Sequence, residues 1–300
     1  MRVGLVMPLG DDGTGRIPAY GEVRALARQA EEAGFDSIWV FDHLFFRTAG
    51  GVAEGINEGW TVLAGLADAT EGVGLGTLVL CTAFRNPALI AKQAATLDEM
   101  SGGRLTLGLG TGWHEPEFRA FGYPFDHRAS RFAEAFAIIR GLLRDGRVDF
   151  HGRFHEASGC ELLPRPVRAD LPLLVAARGA RMLRLAAREA DAWNAAWFGL
   201  PDERLAARVA DLRAACHEVG RDPATIERTV GLTIRFPDLL PAGAPPGTSA
   251  ALGGTGADLA AGLRAHAEAG ASEVICSLDP ATPAALDRLA AGLRDYRAAA

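Results

Sequence analysis

Asp42 and His43 follow directly on Trp39-Val40-Phe41, an apolar run that reads as the end of a β-strand. An imidazole in that position can give or take a proton near neutral pH, and an adjacent carboxylate can tune it. The competing reading is a surface turn capped by Asp42. A second group, Gly108-Leu109-Gly110-Thr111-Gly112-Trp113-His114-Glu115, follows another strand-like run. Its glycines approach the dinucleotide fingerprint, but Trp113 occupies the place of the last required glycine and that reading fails. Closely spaced glycines let a flat ligand approach the backbone, with Trp113 as an aromatic wall; the alternative is a tight turn that buries Trp113. Two helix starts, Ala176-Ala177-Arg178-Gly179-Ala180-Arg181 and Gly253-Gly254-Thr255-Gly256, offer free N–H groups to an anion. Together they favour a phosphate-bearing ligand. Cys81 follows a third strand and either lines the same pocket or is a small buried residue. The histidines lack metal-ligand spacing, so no metal is expected, and neither a G-x-S-x-G nucleophile nor a P-loop is present.

These groups need a frame that brings loop residues together, and the rest of the chain supplies one. Short β-rich runs alternate with Ala/Leu-rich helical patterns. The strands are expected at Val3–Met7, Ser37–Phe41, Val73–Leu80, Leu105–Gly110, Leu173–Ala176, Ala192–Ala195, Thr229–Ile234 and Glu273–Leu278. A helical pattern follows each one. Eight βα units in succession, with no linker between them, predict an α/β fold: a single (β/α)8 TIM barrel over residues 1–300 with loop insertions. One insertion at about 145–172 reads as a hairpin of Val148–His151 and Phe154–Ala157; the other is a long loop at about 236–256. The stretches Phe45–Gly59 and Glu115–His127 read as loops. In such a barrel the active site lies at the carboxyl ends of the strands, which is where the chemical groups fall.

Composition narrows the function classes. With 300 residues, 49% of them apolar, and a formal charge of −6, the chain can bury a large core. The acidic balance without a basic tail argues against nucleic-acid binding. No apolar run reaches the roughly 20 residues that span a bilayer. Four scattered cysteines fit reduced thiols, and a cytoplasmic protein is expected.

Taken in combination, several segments resemble the bacterial luciferase-like superfamily, whose members bind FMN or the deazaflavin coenzyme F420. They are Ala33-Gly34-Phe35-Asp36-Ser37-Ile38-Trp39-Val40-Phe41-Asp42-His43, Leu75–Leu80, Asn86-Pro87-Ala88, Leu97–Leu105 through Gly112-Trp113, and Ala186-Ala187 to Asp191-Ala192-Trp193-Asn194. Gly110–Trp113 with Glu117-Phe118 and Phe121-Gly122, and Thr77 through Arg85, are similar to the deazaflavin-dependent branch. The resemblance implies that Leu78 and Val79 back the cofactor ring, in many relatives through a non-prolyl cis peptide bond. It places Cys81, Thr111 and Gly112 beside the ring or its ribityl chain, Ala177, Gly179, Ala180 and Arg181 at the phosphate, and the anionic tail near Arg181 and Gly254. His43 is the implied catalytic residue beside the reacting carbon, with Asp42 its catalytic neighbour and a cofactor contact; Trp60 and Trp113 shape the substrate pocket. Trp113 stands where the sugar-phosphate dehydrogenases of that branch carry glutamate, and Arg181 where lysine is usual. The implied activity is hydride transfer between coenzyme F420 and a small organic substrate. The alternatives are an FMN-dependent monooxygenase served by a flavin or deazaflavin reductase, and a non-catalytic flavin-binding protein. A homodimer through the second and third helices, using Ala64, Leu66, Ala91, Ala94 and Ala95, competes with packing of those residues on the barrel.

Overall fold

A computed structural model of the chain describes residues 1–11, 15–47, 51–240 and 250–299. Eight parallel strands form its centre: β1 (Arg2–Val6), β2 (Ser37–Val40), β3 (Gly74–Thr77), β4 (Leu105–Gly110), β5 (Leu173–Ala176), β6 (Ala192–Phe198), β7 (Glu227–Arg235) and β8 (Glu273–Asp279). Each pairs with the next in sequence, and β8 returns to β1 through Val3↔Val274 and Leu5↔Cys276, which closes the barrel. Around it run α1 (Tyr20–Glu32), α2 (Gly59–Ala69), α3 (Pro87–Met100), α4 (Glu115–Phe121), α5 (Arg128–Asp145), α6 (Ala180–Glu189), α7 (Glu203–Glu218), α8 (Gly256–Glu268) and α9 (Pro283–Ala298). The (β/α)8 architecture is the one the alternating pattern predicts. Among the described residues no helix is long and apolar enough to cross a membrane.

Strand alternation divides the apolar residues into two layers. Val3, Leu5, Ile38 and Leu75 join Val23, Leu26, Leu63 and Leu66 of the helices in the main core. Val6, Trp39, Leu78, Leu174, Ala192 and Ile275 fill the barrel itself. Trp39 is the largest of these, and its neighbours make room for it: a Cβ on Gly76 would lie 2.2 Å from the indole. Its Nε1–H donates to Ser37 Oγ at 2.7 Å and to Glu273 Oε1 at 3.2 Å, at the amino ends of β2 and β8. Leu66, Ala91, Ala94 and Ala95 are buried in the main core and Ala64 packs half-buried against it, so these residues serve helix-to-barrel packing.

Several local expectations need correction. The third strand is shorter than expected: it stops at Thr77, the Leu78–Val79 peptide is cis, and Leu80–Cys81 resumes pairing with β4 at Leu109 and Gly110. Thr77 Oγ1 both donates to the Gly108 carbonyl and accepts from the Gly108 N–H, so the chain is pinned to β4 just before the break. The stretch Phe45–Gly59 contains a small hairpin, Phe45–Arg47 against Ala53–Gly55, and Glu115–His127 contains α4, ended by Gly122 at φ +78°. In the inserted hairpin the strands are Arg147–His151 and Glu156–Glu161. Phe154, taken from sequence as a strand start, sits in the connecting turn, where the Glu134 carboxylate accepts from the N–H groups of Arg153, Phe154 and His155. Most of the long loop at 236–256, residues 241–249, lies outside the described residues.

Glu273 is buried in the barrel floor, where desolvation pushes its carboxyl above the usual range despite Ser37 and Arg2. The fold therefore prefers the protonated form, and its stabilising contribution, full below the unfolded value near 4.5, is lost as pH rises through the folded value. Glu273→Gln carries no such loss. Its thermal midpoint relative to wild type should move in the variant's favour between about pH 4 and pH 7. Parallel midpoints across that window would contradict the assignment.

Candidate active site

The segments that leave β2, β3 and β4 converge on one side of the barrel mouth. Asp42, just past β2, is buried, and both its carboxylate oxygens are in use. Oδ1 accepts from Arg85 Nη2 at 2.9 Å, while Oδ2 accepts from Arg85 Nη1 and from the Cys81 N–H, each at 2.8 Å. Arg85 also pairs with Glu58, whose side chain accepts from the N–H groups of Trp60 and Thr61 and so caps α2. Burial opposes the Arg85 charge, but Asp42 and Glu58 hold its pKa above the ordinary value. Burial likewise opposes ionisation of Glu58, yet the Thr61 contacts and Arg85 hold its carboxyl low. Asp42 therefore ties three elements together; these contacts give it a positioning task, where the sequence reading expected a catalytic one.

His43 is placed differently. Its Nδ1 lies 2.8 Å from Glu117 Oε1 on α4, and Glu117 Oε2 accepts from the Leu44 N–H at 2.8 Å. Glu117 is 0% exposed, whereas the His43 side chain is 14% exposed, with Nε2 making no hydrogen bond among the described residues. Aromatic rings crowd the imidazole: Phe46 at 4.5 Å and Trp113 edge-on at 5.4 Å, with Phe46 and Trp113 stacked at 6.1 Å. His114 is buried behind them and accepts from the Arg47 N–H through Nε2 at 3.1 Å. Phe45, Phe121 and Tyr123 continue the aromatic rim outward. Trp113 is 64% exposed, so it forms a wall of the mouth and not part of a core.

The glycines after β4 answer first to the protein's own packing. A Cβ on Gly110 would lie 2.5 Å from Val79 Cγ2, and one on Gly112 would lie 2.6 Å from Cys81 Sγ. Val79 and Cys81, on either side of Leu80, are thus brought against Gly110 and Gly112, with Thr111 between the two glycines and Leu78 and Cys81 buried. Burial, aided by the Asp42 and Glu117 charges, pushes the Cys81 thiol up to about 12, so it stays protonated and does not act as a nucleophile.

Beyond β5, the Ala177 carbonyl accepts from Trp193 Nε1 at 3.0 Å and Gly179 takes φ +75° before α6. No side chain caps α6, and the space where a Gly179 Cβ would stand is open. Arg178 donates to the Ala196 carbonyl and Arg181 to Ser130 Oγ, each from one terminal nitrogen. Ala180 and Arg181 are exposed on this rim. The second expected cradle differs. Thr255 caps α8, and the Asp258 carboxylate accepts from the Thr255 N–H and hydroxyl and lies 2.6 Å from where a Gly254 Cβ would be. The protein's own oxygens occupy that turn, and a carboxylate there repels an anion, so Gly254 does not serve as expected. Trp60, assigned from sequence to the substrate pocket, is instead a buried member of the main core. Among the described residues no cluster of His, Cys, Asp and Glu is placed to hold a metal.

Sequence reasoning gave no role to Arg85, Glu58 or Glu117. Pro116 beside Glu115 and Glu117 was a usable helix-start signal for α4. That signal would not have revealed that Glu117 meets His43.

The chain belongs to the luciferase-like monooxygenase family, whose model matches residues 1–236. An F420-dependent hydroxymycolic acid dehydrogenase of Mycobacterium tuberculosis is 33% identical over 77% of this chain and 61% of its own length. A pyrimidine monooxygenase RutA of Agrobacterium fabrum is 31% identical over 64% of this chain and 56% of its own length. An F420-dependent glucose-6-phosphate dehydrogenase of Kineococcus radiotolerans is 33% identical over 78% and 69%. The chain thus spans under two thirds of the length of the first two relatives. Among solved structures, an F420-dependent secondary alcohol dehydrogenase in complex with an F420-acetone adduct covers 99% of both chains with TM-score 0.79 at 21% identity, a likeness of fold.

Removing Arg85 would strand a buried Asp42 carboxylate. Arg85→Met should lower stability in denaturant titration by about 3–5 kcal/mol, the range for breaking a buried pair. A loss below about 1 kcal/mol, typical of exposed pairs, would show that Asp42 does not depend on it.

Proposed function

We propose that this protein is an oxidoreductase that transfers a hydride between coenzyme F420 and a small organic substrate at the mouth of the barrel. The observation that carries the reading is His43: one ring nitrogen is engaged by a fully buried carboxylate while the other opens onto an aromatic-walled mouth. Two relatives at 33% identity that are named for F420 support the deazaflavin over FMN.

The residues present fit such a group. The uncapped α6 start, with open space at Gly179 and Arg178 and Arg181 beside it, suits a phosphate. The surface of Leu78, Val79, Cys81, Thr111 and Gly112 would back and flank the ring system. When bound, the deazaflavin supplies a carbon centre that takes or gives a hydride. His43 Nε2 would hold or accept the proton of the substrate oxygen. Trp113 and Phe46 would exclude water from that exchange and present an apolar wall to the substrate.

The reading is tested by titrating the purified protein with oxidised F420 and, separately, with FMN, following absorbance and fluorescence. The expected result is saturable binding of F420 with FMN at least about tenfold weaker, a difference of roughly 1.4 kcal/mol. Tighter binding of FMN, with oxygen uptake when reduced flavin is supplied, would replace it with the monooxygenase reading that the RutA relative represents.

A further inference from the structure

The contact between Glu117 and His43 carries more than proximity. Glu117 is 0% exposed, and its two oxygens face two different groups: Oε2 meets the Leu44 N–H and Oε1 meets His43 Nδ1, both at 2.8 Å. A backbone N–H can only donate, so Oε2 is committed as an acceptor. A carboxylate accepts at both oxygens, which requires the proton of a neutral His43 ring to sit on Nδ1. The remaining nitrogen, Nε2, then carries a lone pair and no proton, on the side of the ring that makes no hydrogen bond among the described residues. Phe46 and Trp113 pack around the ring and restrict its rotation. Since Leu44 adjoins His43, the same carboxylate holds both the ring and the backbone that bears it.

We propose that Glu117 is a positioning residue that fixes His43 as the Nδ1–H tautomer, presenting Nε2 as a proton acceptor at the barrel mouth. This deepens the function proposed above and rests on it for the identity of the hydride acceptor. In the step, the substrate O–H bond breaks and its proton goes to Nε2. In a bound alcohol the C–H bond on the same carbon would break with its electron pair, the deazaflavin would supply the hydride acceptor, and a C=O bond would form. The alcohol would lose a hydride, which carries both electrons, to the cofactor, and a proton to His43 Nε2.

Glu117→Gln makes a specific test, because a carboxamide offers one acceptor and one donor. The Leu44 N–H still needs the oxygen, so the NH2 group is left facing His43 Nδ1. A histidine can accommodate that by moving its proton to Nε2; a backbone amide has no such freedom. The tautomer should therefore reverse. The measurement is the long-range 1H–15N spectrum of 15N-histidine-labelled, cofactor-free protein, with the His43 signals assigned by their loss in His43→Ala. In wild type, Nδ1 should read as protonated and Nε2 as unprotonated; in Glu117→Gln the pattern should invert. Oxidised F420 should bind Glu117→Gln within about threefold of wild type. Turnover with a secondary alcohol should fall by about 10²-fold or more, the scale of lost acid–base assistance. A wild-type ring protonated at Nε2, alone or as imidazolium, overturns the proposal, as does an unchanged tautomer in Glu117→Gln or turnover retained within about threefold. If the variant does not fold, the wild-type spectrum alone decides. Because the spectrum is taken without cofactor, preference for FMN in the titration would remove the hydride acceptor while leaving the tautomer result intact, so the two failures are distinguishable.

Discussion

An ionised carboxylate taken out of water must be met by donors, or the fold that buries it pays heavily. Two such groups, Asp42 and Glu117, organise the mouth of this barrel. Their contacts run through three consecutive residues, Asp42, His43 and Leu44. Asp42 draws in Arg85 and the Cys81 N–H from the segment after β3, and Glu117 on α4 draws in His43 and the Leu44 N–H after β2. The loop after β2 is thereby stitched to the segments after β3 and β4. That stitching fixes the segment that carries Cys81 and a histidine whose orientation does not depend on a ligand; the α6 start lies on the rim outside it.

This arrangement separates two tasks that a sequence shows as one dipeptide. Asp42-His43 reads as a carboxylate tuning its neighbouring imidazole, yet Asp42 faces the guanidinium of Arg85 and the imidazole takes its carboxylate from a residue 74 positions later. Helix starts divide in the same manner. Thr255 and Asp258 satisfy α8 internally, whereas α6 begins without a side-chain cap beside Arg181. Two glycine-bearing turns of similar appearance thus have opposite electrostatic character, because one contains its own anion and the other does not.

The fold was largely legible because barrel strands and amphipathic helices announce themselves by periodicity, and loop positions follow from the architecture. His43, Thr111, Gly112, Trp113 and the Ala177–Arg181 turn could be placed at the mouth on that basis. Legibility ended where a role depends on a distant partner. Glu117 and Arg85 are ordinary charged residues until the fold brings His43 and Asp42 to them. Trp60 and Trp113 illustrate a second limit: each is a lone indole in the chain beyond a strand, but α2 turns one into the core while the chain after β4 leaves the other exposed. Phe154 shows a third, since a carboxylate on α5 captures the turn that an aromatic residue seemed to make a strand.

In the proposed reaction His43 moves the substrate proton while other parts of the mouth bind the cofactor. This division of roles is tested most directly by replacing His43 with Ala and measuring cofactor dissociation and turnover side by side. The expected result is a fall in kcat of about 10²–10⁴-fold, the usual worth of acid–base assistance, with F420 affinity within a few-fold of wild type. Retained turnover, or a loss of affinity large enough to explain the loss of rate, would contradict it.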